Sequence, residues 1–113
     1  MPRPEAADAL TDRDTIVAIA TPPGRGGVGI VRVSGPAVRT LSPLLLDAVR
    51  DPVAHPRQVC LSRVRGPDGV AIDEALAWFL PSSASYTGED TLEISTHGSP
   101  VVQRCLVDRA RAL

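Results

Sequence analysis

Arg32 and Glu93 are the two residues whose surroundings most demand a partner. Arg32 lies among valines, and Glu93 lies between Leu92 and Ile94, so each is a charge inside an apolar, strand-like run. An unpaired charge is costly to bury, so each must face water or find a complementary group. A guanidinium in that position suits a carboxylate or carbonyl ligand. A carboxylate offers two adjacent acceptors, which match a donor–donor edge such as the N–H and NH₂ of a pterin. The residues alone leave two readings open for each: a solvated position on a half-exposed strand, or a ligand contact.

Other candidates are weaker. Gly24, Arg25, Gly26, Gly27, Val28 and Gly29 satisfy the G-x-G-x-x-G pattern. A dinucleotide fingerprint needs a helix after that loop, with phosphate at its N-terminus. Here a β-like run follows, so the dinucleotide reading fails on context. The glycines are either a turn between strands or a backbone that a flat ligand or second subunit can approach closely. His97 has no Cys, Asp or second His at metal-ligand spacing and reads as structural. Glu89 and Asp90 belong to a polar loop that is either an interaction edge or an ordinary turn. No Ser-His-Asp, Cys-His or paired-carboxylate arrangement is evident, so no catalytic residue and no metal ligand is assigned. Cys60 and Cys105 fit neither a zinc pattern nor a C-x-x-C motif and read as reduced core residues.

The elements that must hold Arg32 and Glu93 are short. Thr15 to Thr21 is a β-like run stopped by Pro22 and Pro23. Gly29 to Ser34 is a second strand, with Ile30, Arg32 and Ser34 on one face and Val31 and Val33 on the other. Ser34, Gly35 and Pro36 read as a helix start. Val38, Leu41, Leu45 and Ala48 or Val49 follow at helical spacing, interrupted by Pro43 and ended by Asp51 and Pro52. Val59 to Arg65 and Val70 to Leu80 form a hairpin around the turn Gly66 to Gly69. Thr91 to Ser95 is a further strand, with Leu92 and Ile94 toward the core and Glu93 away from it. Ser99 and Pro100 open a last helix, whose Val101, Val102, Cys105, Leu106 and Arg109 share one face. This order predicts an α+β two-layer sandwich, with a mixed sheet of about five strands and about two to three helices.

Composition narrows the function. The 113 residues make one domain; residues 1–13 are expected to be a disordered tail and 14–113 the folded part. The net charge of −1 argues against a domain-wide electrostatic grip on nucleic acid. All 12 basic residues are arginines. Without lysine there is no Walker A loop and no Schiff-base chemistry. Met1 to Arg13 has no apolar run, so neither a signal peptide nor a membrane span is expected there. A cytoplasmic location is expected.

The stretch from Asp14 to Pro36 resembles the opening of the MnmE (TrmE) tRNA-modification GTPases nearly residue for residue. Tyr86 to Ile94, then His97, Gly98 and Pro100 to Val102, resemble the same family, and Ala75 to Phe79 match in kind. The sequence departs from it at Thr96 and Ser99, where the family usually has glycine. The resemblance implies a fold similar to the folate-binding domain of the aminomethyltransferases. It implies a homodimer that binds a tetrahydrofolate, such as 5-formyltetrahydrofolate, with contacts from Arg32, Glu93 and a lysine beyond Leu113. It also implies a role, with the flavoprotein MnmG, in modifying the wobble uridine of tRNA. GTP, Mg and K would belong to a GTPase domain outside this chain, and no catalysis is expected of these residues alone. Two other readings stay open: a folate-dependent one-carbon transferase fragment, and a purely structural dimerisation domain.

Overall fold

The computed structural model describes residues 14–20, 26–83, 85, 88–98 and 100–113. The expected tail 1–13, the residues 21–25, Ala84, Tyr86, Thr87 and Ser99 lie outside the described residues. The elements run β1 (Ile16–Ile19), β2 (Gly26–Ser34), α1 (Val38–Leu45), β3 (Leu46–Ala48), β4 (Cys60–Arg65), β5 (Ala71–Leu80), β6 (Thr91–Gly98) and α2 (Pro100–Ala112).

The strands form one six-stranded sheet in the order β1-β2-β6-β5-β4-β3. Every pairing is antiparallel. The α+β class and the pair of helices agree with the expectation, but the mixed, five-stranded sheet does not. A parallel pair needs a crossover that joins neighbours. The α1 crossover instead carries the chain from β2 to β3 at the far edge of the sheet, and the later strands return antiparallel.

Strand alternation sets two unlike faces. Val31, Val33, Val64, Ala75, Ala77, Phe79, Leu92 and Ile94 point inward. Val38, Leu41 and Leu45 of α1 and Leu106, Val107 and Ala110 of α2 pack against them in one core. Both helices therefore cover the same face. The other face, which carries Arg32 and Glu93, has no helix on it among the described residues.

Besides α2, which buries Gln103, Leu106, Val107 and Ala110 and leaves Val101 exposed in place of the expected face, three local features differ from the expectation. First, α1 stops at Leu45, two residues past Pro43, and Leu46 turns extended (φ −128°, ψ 139°). The apolar pattern of residues 46–48 is held in β3 by pairing Leu46 to Val64 and Ala48 to Ser62; this tertiary pairing overrides the helical spacing. Second, Ser34 does not cap α1. Its hydroxyl pairs with that of Thr91 at 3.2 Å. The N-cap residue is Ala37, with no side-chain cap; its own N–H donates to Thr15 Oγ1 at 2.8 Å, which ties the helix start to the residue before β1. Third, Gly29 is a point of close approach between the sheet and the last helix. A Cβ there would overlap the Gln103 amide of α2, and Gln103 is buried.

Candidate functional site

The register of the sheet places one polar row across four strands. Ala18 pairs with Arg32, Arg32 with Glu93, and Glu93 with Trp78. The two charges that the sequence singles out are thus directly opposite each other on the uncovered face. Arg32 donates from Nε to Glu93 Oε2 at 2.8 Å and from an Nη nitrogen to the same oxygen at 2.6 Å. Trp78 Nε1 donates to the other oxygen, Oε1, at 2.7 Å. The Glu93 side chain is only 14% exposed, against 42% for Arg32. A carboxylate this covered, with three charge-assisted hydrogen bonds, is held in one orientation.

Trp78 was not a candidate from its own position in the sequence. It sits 15 residues before Glu93 and meets it only because β5 pairs with β6. The one available signal was parity: Trp78 alternates with Ala77 and Phe79, which point into the core.

The next row along the same face is Ile30, Ser95, Leu76 and Leu61, again in register. A shallow groove of about 300 Å³ runs here, lined among others by Val28, Leu61, Leu76, Ser95 and His97. Its aliphatic walls are open to solvent: Val28 is 62% exposed, Leu61 57% and Leu76 45%. The uncovered face therefore combines an oriented carboxylate, a partly exposed guanidinium, an indole and a groove with aliphatic and polar walls. Such an arrangement can take a flat heterocycle with polar edges, or apolar side chains from another molecule.

The remaining candidates fall into place around this face. His97 finds a carboxylate that linear spacing hid: its Nδ1 lies 2.9 Å from Asp73 Oδ1. No cluster of three or more metal-ligating side chains occurs among the described residues. Asp90 closes the loop before β6. One of its oxygens accepts the Ser82 N–H at 3.0 Å and the other accepts Arg39 Nε at 2.9 Å, so this acid has a clamping function within the fold. Of the glycine motif, Gly24 and Arg25 lie outside the described residues. Gly26 already belongs to β2, which agrees with the failure of the dinucleotide reading. Cys60 is buried and Cys105 partly so, and both are free. No helix among the described residues is long and apolar enough to cross a membrane.

Comparison with known proteins fits this picture. The family model described as "GTP-binding protein TrmE N-terminus" matches residues 15–112. Several bacterial proteins named tRNA modification GTPase MnmE are similar to the chain. That of Azoarcus sp. (strain BH72) is 45% identical over 108 residues, covering 96% of this chain and 23% of the relative. That of Ralstonia nicotianae is 47% identical over 105 residues, covering 93% and 21%. That of Stutzerimonas stutzeri is 50% identical over 97 residues, covering 86% and 20%. The chain thus spans about a fifth of the length of these relatives. With the match running from Thr15 to Ala112, through every described strand and both helices, the chain belongs to the TrmE N-terminal family, the N-terminal domain of the MnmE tRNA-modification GTPases.

Proposed function

We propose that this domain binds a tetrahydrofolate, such as 5-formyltetrahydrofolate, on the open face of its sheet and pairs there with a second copy of itself. The observation that carries the reading is the Arg32–Glu93 pair, fixed in register on a face that no helix covers among the described residues. Glu93 would take the donor–donor edge of the pterin, and Arg32 the ligand's carbonyl or carboxylate groups. The exposed aliphatic side chains of Val28, Leu61 and Leu76 beside that row support an apolar contact between subunits. In this reading the fold is similar to the folate-binding domain of the aminomethyltransferases. The bound one-carbon unit serves wobble-uridine modification of tRNA in the cytoplasm, with MnmG as partner, while GTP, Mg and K act in another domain of the full-length protein.

Isothermal titration of 5-formyltetrahydrofolate into the chain, with Glu93→Ala alongside, tests the reading. Losing a charged hydrogen-bond partner costs about 1.5–3 kcal/mol, so the variant should bind roughly 10- to 150-fold more weakly. Equal affinity in the two proteins contradicts the role given to Glu93. One observation favours a purely structural dimerisation domain instead: both Glu93 oxygens already have partners within the chain. In that case sedimentation velocity would show a dimer whose dissociation constant ignores folate.

A further inference from the structure

Neither the sequence motifs nor the proposed folate contacts give Trp78 a task, yet it is the third group on the Glu93 carboxylate. We propose that Trp78 is the positioning residue of this site. It fixes Glu93 Oε1, so that a ligand enters by displacing Arg32 from Oε2, and the site thereby favours flat heterocycles that present adjacent ring N–H and amino donors. The inference rests on the folate reading above.

The argument is a count of acceptor positions. An ionised carboxylate has about four lone-pair directions, two on each oxygen. Arg32 uses both on Oε2, through Nε and Nη. Trp78 uses one on Oε1. A two-donor edge needs one direction on each oxygen. Oε1 has one to spare, while Oε2 has one only after Arg32 lets go. Of the two neighbours, Arg32 is the one able to leave: its side chain is 42% exposed and sits on a long, rotatable stem. Trp78 is half-buried, and its indole nitrogen is a donor that cannot exchange roles. It also lies directly across the β5–β6 ladder from Glu93, where opposite side chains are held within about 4.5–5.5 Å at Cβ. The displaced guanidinium is then available for the acceptor groups of the same ligand, so one charged pair is exchanged for another. A heterocycle without the amino donor leaves Arg32 in place and gains a single hydrogen bond.

The chain has one tryptophan, so a proton–nitrogen correlation spectrum contains one indole N–H resonance. It should move when Glu93→Gln is introduced, and move in the wild-type chain when 5-formyltetrahydrofolate is titrated in. Trp78→Phe should keep the fold and weaken binding about ten-fold or more, the loss expected for a charge-assisted hydrogen bond. The wild-type resonance needs no variant to fold and so keeps the test open if Trp78→Phe is unstable. Undiminished binding by Trp78→Phe, or an indole resonance that ignores saturating ligand, overturns the assignment of Trp78 and leaves the folate reading standing. A folded wild-type chain that binds no 5-formyltetrahydrofolate overturns the folate reading, and the role of Trp78 with it.

Discussion

The two faces of the sheet are built from the same strands and carry opposite kinds of side chain. On the helix-covered face, Val31, Leu92, Ile94 and Phe79 are almost fully buried in one core with apolar side chains of α1 and α2. On the open face, one residue along in each strand, stand Arg32, Glu93 and Trp78, with Leu61 and Leu76 in the next row. Burial of apolar surface contributes about 25 cal/mol per Å², so the covered face carries most of the stability. The open face gains less from its own contacts, because water reaches its central ion pair through Arg32, whose side chain is 42% exposed. Its arrangement is better explained by what it meets than by what it stabilises.

Substitutions on the two faces should therefore separate stability from binding. The largest effect belongs to Phe79→Ala, which opens a cavity in the core and should lower unfolding free energy by about 3–5 kcal/mol, read by urea denaturation. Gly29→Ala should cost about 1–3 kcal/mol through overpacking against Gln103. Most of that cost should vanish in Gly29→Ala/Gln103→Ala, a coupling that a double-mutant cycle measures directly. Thr15→Ala removes the hydroxyl that accepts the Ala37 N–H just ahead of α1 and should cost about 1 kcal/mol in the same denaturation assay. Leu76→Ser on the open face should sit within about 0.5 kcal/mol of wild type in monomer stability, while shifting the proposed dimer toward monomer in sedimentation velocity. A dimer unaffected by that change would place the subunit contact elsewhere.

Much of this contrast was legible in the sequence, because period-two alternation tells which side chains share a face. It put Val31 and Val33 opposite Arg32, and Leu92 and Ile94 opposite Glu93, as the structure has them. What alternation cannot supply is which strands are neighbours. The meeting of Arg32, Glu93 and Trp78 depends on β6 inserting between β2 and β5, and so does the sharing of one carboxylate by three hydrogen bonds. The Asp73–His97 pair and the hydrogen bond from the Ala37 N–H to Thr15 were hidden for the same reason, being 24 and 22 residues apart. Strand β3 was missed because three residues carry too little pattern to stand against the helical run before them. Their extended form is imposed by β4.

The central claim is that the open face binds while the covered face folds. It is tested most directly by the melting temperature of wild type and Glu93→Gln, each with and without 5-formyltetrahydrofolate. A ligand at a hundred times its dissociation constant stabilises the folded state by about 2.7 kcal/mol. Near-equal melting temperatures without ligand, and a rise on adding it in wild type alone, are the predicted result. A Glu93→Gln protein that melts far below wild type, or whose melting temperature rises as much with ligand, would contradict the account.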